Sequence, residues 1–302
     1  MIKMKSYRSP LFYVGDKRKI ISEIKTYFPN NIDRFIEPFV GGGSVFMNTE
    51  ANVYLLNDID SNIYNIHLML NSYSRDKNLF FQRVIELLNK YGLSKSFIED
   101  VIPTDLKKQY NKTYYAQYNK VAYNKFKRDY NLSCKDDYLQ LYILLIYGFN
   151  RMMRINRYGD FNVPVGNVDF NNNVVKALND YFDIVSKKNI QFYNMDYRKF
   201  IEKIQVNSSD FIYFDPPYLI SSSEYNKYWT NQSEMMFCRY LNKLNQENIK
   251  FAVSNVIHYR GRTNPIFEKW STDFNVHIIN SNYISFNDNS NKEFKEVLIT
   301  NY

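Results

Sequence analysis

The stretch that decides the fold is RFIEPFVGGGSVFMNTEANVYLLND, residues 34–58. Arg34 to Glu37 reads as a short strand, Gly41 to Gly43 as a tight turn, Ser44 to Asn48 as a short helix, and Val53 to Leu56 as a second strand ending at Asn57 and Asp58. Strand, turn, helix, strand opens an α/β sheet, and the glycines let backbone approach a ligand at the helix start. The turn is not a nicotinamide fingerprint, because Phe46 stands where a third glycine would be needed; nor does a lysine follow to make a phosphate loop.

Working outward, Lys17 to Phe28 reads as one helix, with Ile20, Ile21, Ile24, Tyr27 and Phe28 on one face and Pro29 as its stop. From Ile59 to Phe149 strand signals vanish, and Leu79–Tyr91, Asp105–Tyr130 and Asp137–Phe149 read as helices. A turn-rich stretch, Asn156 to Asn173, follows. Strand signals then return at Ile190–Tyr193, Phe211–Phe214, Phe251–Ser254, Val276–Ile284 and Glu296–Tyr302. Helical segments near Tyr197–Ile204, Ser233–Leu244 and Pro265–Trp270 lie between them. The simplest architecture is one α/β domain made from both ends of the chain and interrupted by a mostly helical insertion: residues 1–60 and 174–302 around residues 61–173.

The chain has 302 residues, enough to bury a sizeable core, and no long uncharged apolar run. No secretory signal opens it, so a cytoplasmic location is expected. Cys134, Cys238, His67, His258 and His277 are scattered without metal-ligand spacing, so neither a metal site nor a disulfide is expected. The net charge of +8 suits a polyanionic partner, although AT-rich codons supply the same excess of Lys, Asn, Ile and Tyr whatever the function.

The sharpest chemical signal is Asp215-Pro216-Pro217-Tyr218, directly after the apolar strand Phe211–Phe214. Two prolines cannot continue a ladder, since neither donates an N–H, so they make a stiff turn at the strand's carboxyl end, where open sheets bind ligands. An aromatic amine is a poor nucleophile because its lone pair is delocalised. Acceptors that bond both of its N–H groups draw the nitrogen toward tetrahedral geometry and stabilise the developing positive charge. Asp215 and the Pro216 carbonyl are candidates for those acceptors, and Tyr218 for a ring that stacks on the base.

Asp-Pro-Pro-Tyr after an apolar strand resembles the catalytic motif of amino-methylating DNA methyltransferases. Asn in the first place would point equally to protein-glutamine methylation and Ser toward cytosine; Asp215 favours adenine. Glu37-Pro38-Phe39-Val40-Gly41-Gly42-Gly43-Ser44 resembles the S-adenosylmethionine (AdoMet) motif of Dam-type adenine methyltransferases. That resemblance implies cofactor contacts from Glu37, Phe39, Gly41, Gly43 and Ser44, and from Asp58 to the ribose hydroxyls. Phe12-Tyr13-Val14-Gly15-Asp16-Lys17 is similar to the family's aromatic-x-Gly-x-Lys segment, which brings Tyr13 and Lys17 to the cofactor. Asp16 departs from it, since the family often has Gly or Asn there. Asp196-Tyr197 is similar to its Asp-aromatic contact to the cofactor adenine.

A further stretch, Phe149-Asn150-Arg151-Met152-Met153-Arg154-Ile155-Asn156 with Gly159 to Gly166, resembles the target-recognition segment of Dam-type enzymes. The resemblance implies that Arg154 reads a guanine in the major groove, that Phe149 enters the stack as adenine leaves, and that Asn150, Met152 and Pro164 belong to the same surface. Some members carry a base-reading lysine just before the N-terminal aromatic. Phe12 holds that place here. By contrast, Lys107, Lys108, Lys112, Lys120, Lys125, Lys127 and Arg128 read as an ordinary solvated face as readily as a phosphate-binding one.

Together these matches imply a Rossmann-like AdoMet-dependent methyltransferase fold with a mixed seven-stranded sheet and an inserted helical DNA-recognition domain. They imply double-stranded DNA as partner, GATC as target, base flipping, no metal, and a monomer in solution. A longer site such as GATATC, an RNA or protein substrate, a cognate restriction endonuclease, and a silent DNA-binding role all stay open.

Overall fold

The sheet is built from β1 (Arg34–Glu37), β2 (Val53–Asn57), β3 (Asn189–Tyr193), β4 (Phe211–Phe214), β5 (Lys250–Tyr259), a two-residue β6 (Arg262–Thr263), β7 (Asn275–Ile279) and β8 (Phe294–Thr300). The computed structural model describes residues 6–13, 15–220, 229–279 and 294–302. Strand order is β3-β2-β1-β4-β5-β8-β7, with β6 paired only to β5. Strands β1 to β5 run parallel, and β8 is antiparallel to both β5 and β7. The seven strands read from sequence form this row. β6, a hairpin return through Gly261 at φ 72°, was not legible in it. Residues 280–284, also read as strand, lie outside the described residues.

Alternation on the short strands explains why both faces are covered. Phe211 and Tyr213 of β4 join Phe35 and Tyr54 in one apolar cluster, whereas Ile212 and Phe214 join Ile36 and Leu55 in the other. A parallel sheet buried on both sides needs such near-continuous apolar runs. Each fully buried aromatic or aliphatic side chain contributes about 1.5–3 kcal/mol.

The first cluster recruits α1 (Ile21–Ile24), α2 (Ser61–Ser72), α3 (Lys77–Tyr91), α5 (Tyr114–Leu132), α6 (Tyr138–Tyr147) and α7 (Asn172–Val185). The short α4 (Thr104–Gln109) buries none of its residues. The second cluster takes α8 (Tyr197–Ile204), α9 (Asn231–Gln246) and α10 (Pro265–Ser271). Side-chain caps mark several starts. The Asp137 carboxylate accepts from the Leu139 and Gln140 N–H groups ahead of α6, whose residues from Leu141 to Tyr147 are all buried.

Two expected helices are broken. Lys17 to Phe28 forms three short turns, because Asp16 caps Arg18, the Lys17 N–H is taken by Ser44 Oγ at 3.1 Å, and Ile20 leaves helical geometry at φ −115°. The Asp105–Tyr130 helix is interrupted at residues 110–113, where Tyr110 (φ −120°, ψ 47°) and Thr113 (φ −137°, ψ 14°) are non-helical. α2 and α7 went unread although each buries an i, i+3, i+4 stripe.

Candidate active site

Leaving β1, the order runs outward through β2 and β3 on one side and restarts with β4 on the other. The carboxyl ends of β1 and β4 therefore part at a topological switch point, where α/β sheets bind ligands. A cavity of about 640 Å³ lies there, lined by Glu37 to Gly42 after β1, Asp58 to Asp60 after β2, Met195 to Arg198 after β3, and Asp215 to Tyr218 after β4.

The loops that shape it are tied by Asn57, which is buried at the end of β2. Its amide donates to the Pro38 and Met195 carbonyls, both at 2.9 Å, and its Oδ1 accepts the Met195 N–H at 3.1 Å. One side chain thus zips three strand ends together. After Pro38 the chain turns through Gly41 (φ 47°) and Gly43 (φ 79°), where a side chain would be strained. A Cβ on Gly43 would also collide with the Phe46 ring. Gly43 is accordingly the one expected cofactor residue that does not line the cavity; it packs one layer behind it.

Beneath the turn lies His67, fully buried on α2. Its Nε2 is 2.8 Å from the Gly41 carbonyl and its Nδ1 is 2.9 Å from the Tyr181 hydroxyl. A carbonyl only accepts, so Nε2 carries the proton and the tyrosine donates to Nδ1. The ring also stacks on Phe192. Burial pushes its pKa down to about 4, against the pull of the Gly41 hydrogen bond.

Asp58 Oδ2 accepts the Gly41 N–H at 2.8 Å and its Oδ1 the Asp60 N–H at 2.9 Å. Burial nevertheless lifts its pKa to about 6. Glu37, buried at the end of β1, accepts the Phe46 N–H at 3.2 Å. Burial, and then the charge of Asp215, hold its carboxyl well above the ordinary range.

At the end of β4, Asp215 is gripped from two sides. Lys17 Nζ lies 2.7 Å from its Oδ2, and the Tyr218 hydroxyl donates to its Oδ1 at 2.7 Å. Lys17 is almost wholly buried, donates also to the Gly15 carbonyl at 3.2 Å, and sits 5.1 Å from the centre of the Tyr218 ring. Burial and the charge of Asp215 raise the Tyr218 phenol well above its ordinary pKa, so it remains a donor.

Of the residues singled out in the sequence, Tyr13, Lys17, Glu37, Phe39, Gly41, Ser44, Asp58, Asp196, Tyr197 and Asp215 to Tyr218 all line this cavity. Phe149, Asn150, Met152, Arg154 and Pro164 do not. They lie after α6 on a loop clasped by the Gly148–Val165 and Ile155–Phe161 bridges. Phe149 is 47% exposed there, and its N–H donates to the Pro164 carbonyl at 2.8 Å. Arg154 Nε donates to the Asn162 carbonyl at 2.8 Å.

Trp229, Met195 and Met236 complete the cavity wall and had no sequence signal. The Trp229 indole packs edge-on against Phe39, and its N–H donates to the buried Glu234 carboxylate, which also accepts from Asn255 and Asn264 at 3.2 and 2.7 Å.

A mixed sheet with its cavity at the switch point, closed by an Asp-Pro-Pro-Tyr turn, defines a Rossmann-like methyltransferase fold. Residues 13–284 match the family described as D12 class N6 adenine-specific DNA methyltransferase, and the chain belongs to that family. It is 32% identical to "Modification methylase StsI" of Streptococcus sanguinis over 309 residues, 99% of this chain and 43% of that protein. It is 32% identical to "Type II methyltransferase M.FokI" of Planomicrobium okeanokoites over 310 residues, 99% of this chain and 44% of that protein. To "DNA adenine methylase" of Escherichia coli (strain K12) it is 24% identical over 305 residues, covering 98% of this chain and 95% of that protein. The chain thus spans less than half the length of the first two relatives and nearly all of the third.

Proposed function

We propose that the protein transfers a methyl group from AdoMet to the exocyclic amine of an adenine flipped out of double-stranded DNA. The observation that carries this reading is the convergence of Asp215, Tyr218 and Lys17 with Glu37 and Asp58 around one cavity. Its lining suits a cationic nucleoside. Among the described residues, six carboxyl groups, from Asp16, Glu37, Asp58, Asp60, Asp196 and Asp215, outnumber the two cationic side chains, Lys17 and Arg198. A phosphorylated cofactor would be repelled there. Glu37, Asp58 and Asp196 would hold the cofactor's polar groups, with Tyr13, Phe39, Ser44, Tyr197 and the Gly41 backbone around it. When bound, AdoMet supplies a methyl group already activated by its sulfonium.

The chain's own residues do the rest. Pro216 and Pro217 fix the turn, so that Asp215 and the Pro216 carbonyl are held as acceptors for the two amine N–H groups. The Lys17 ammonium, 2.7 Å from Oδ2, orients the Asp215 carboxylate. Tyr218, anchored by its hydroxyl to Asp215, presents its ring to the purine. Orientation supplies much of the rate gain.

Residues 61–173, from α2 to the loop after α6, are assigned to target recognition, and residues 1–60 and 174–302 to catalysis. α2 is the joint between them, since His67 reaches the Gly41 turn. Arg154 is assigned a guanine and Phe149 the space left by the flipped base, with Asn150, Met152 and Pro164 beside them. GATC is the site implied by the resemblance of this loop. A second reading, a different adenine-containing site, is favoured by Phe12, which replaces the base-reading lysine. The same reading makes the protein a cytoplasmic monomer, and the names of the first two relatives leave room for a cognate endonuclease. Methylation-aware sequencing of DNA from cells expressing the protein tests it. Modified adenine in GATC supports both chemistry and site; modified adenine elsewhere keeps the chemistry and overturns the site; unmodified DNA overturns both.

A further inference from the structure

Beside the cavity, on the side of the recognition loop, two guanidinium groups enclose one aromatic ring. Arg151 lies 3.8 Å and Arg8 4.3 Å from the centre of the Phe12 ring. One face of a six-membered ring has no room for two guanidiniums at that distance, so the phenyl is sandwiched between them. Phe12 itself is buried, and both arginines are half-buried.

Such a stack should carry carboxylates, because half-burying two like charges is unfavourable unless they are paired. Asp16 reaches Arg8 only through its field: among the described residues neither arginine has an ion pair or a side-chain hydrogen bond, and Arg8 Nε is buried without a partner. Burial depresses both guanidiniums, with Arg18 repelling Arg8 and Arg8 repelling Arg151; Arg151 falls to about 10, which still leaves each charged at neutral pH. The backbone is strained at the same spot. Phe12 (φ 49°), Asn150 (φ 52°) and Arg151 (φ 50°) are all non-glycine residues in the left-handed region. Strain of this kind persists where the surrounding structure enforces it and clusters at ligand clamps. In sequence, Phe12 immediately precedes Tyr13 of the cavity wall, and Arg151 lies between Phe149 and Arg154 of the recognition loop.

We propose that Arg8 and Arg151, spaced by the Phe12 ring, form a prebuilt clamp for a backbone phosphate of the DNA strand running between the recognition loop and the methyl-transfer cavity. The assignment rests on the reading of the protein as a DNA methyltransferase. The free N–H groups would bond the phosphate oxygens, a geometry guanidinium suits. Contacts of this kind fix register and carry no sequence information.

The test is a salt titration of binding to a fluorescein-labelled duplex carrying the methylated motif, with AdoMet present. It compares parent protein, Arg8→Gln, Arg151→Gln and Arg151→Lys. Each lost phosphate contact flattens the slope of log affinity against log salt by about 0.9. The gap between parent and each Gln variant should therefore narrow roughly three- to fourfold between about 50 and 200 mM salt, while the ratio of target to non-target affinity stays put. Arg151→Lys should keep the parent slope. A second measurement leaves the protein untouched: neutral methylphosphonate is placed in turn at backbone positions around the target adenine. One position should weaken the parent more than either Gln variant, since each variant keeps only one arginine at that phosphate. Parent slopes in both Gln variants would overturn the clamp, as would lost discrimination at one base pair, which would make these arginines base readers. Failure of the parent itself to bind the duplex would instead strike at the proposed function.

Discussion

Replacing His67 by phenylalanine removes the imidazole that holds the Gly41 carbonyl from beneath the turn. The part-buried Gly41 carbonyl and the buried Tyr181 hydroxyl then lose their His67 bonds. Leaving each unsatisfied costs about 1–3 kcal/mol, so the variant should be some 2–5 kcal/mol less stable near neutral pH. The pH dependence is the sharper check. The imidazole is pushed from 6.5 down to about 4 in the fold. The stability tied to its neutral form is therefore fully present above pH 6.5 and is lost as pH falls toward 4. Between about pH 8 and pH 5 that loss is about 2 kcal/mol. Asp58 acts with opposite sign, because its folded pKa rises from 3.8 to about 6; its contribution is present at low pH and lost as pH climbs through 6. The two offset each other in the parent protein, but Asp58 cancels when parent and variant are subtracted. Urea unfolding of both proteins across this range should show their stability difference shrinking by about 2 kcal/mol on acidification. A difference that holds constant would mean that His67 does not sit neutral beneath the turn.

Gly43→Ala places a methyl against Phe46 at a left-handed residue; it should lower stability by about 1–3 kcal/mol and weaken AdoMet binding measured by calorimetry. Glu234→Gln gives the Trp229 indole and the Asn255 and Asn264 amides a partner that is itself partly a donor. AdoMet affinity should fall roughly tenfold, the equivalent of one lost hydrogen bond, with duplex binding in the absence of AdoMet kept; unchanged AdoMet affinity would remove Trp229 from the account. Arg154→Ala should cost about 1–3 kcal/mol of discrimination against a substituted guanine, read from competition between target and altered duplexes. A uniform loss on both would make it a phosphate contact instead.

What the sequence carried was local. Two short strands around Gly41 to Gly43, and a strand running into Asp215-Pro216-Pro217-Tyr218, are legible because glycine and proline restrict backbone in ways a few residues reveal. The boundaries of α6, α8, α9 and α10 were also readable, since caps or apolar stripes mark them. α7 was missed because its start, Asn171 to Asn173, reads as the end of the preceding turn-rich stretch, although the Asn171 side chain is in fact its cap. The break in the first helix depends on Ser44, 27 residues beyond Lys17, and no local pattern encodes that contact. The same holds at the site. Lys17 and Asp215 are individually recognisable, but their 2.7 Å ion pair is a product of the sheet order. Asn57, His67 and Arg151 act through long-range contacts, so their residue types alone were silent.

The measurement closest to the centre of the account is single-turnover methyl transfer by Asp215→Ala, with AdoMet and duplex binding measured on the same preparation. Its melting temperature is checked because Lys17 loses its ion pair with Asp215. Transfer should drop by at least about a hundredfold, the scale of removing one preorganised electrostatic partner, while both ligands still bind. Transfer at close to the parent rate, with AdoMet and DNA both bound, would contradict the carboxylate-and-carbonyl cradle as the source of amine reactivity.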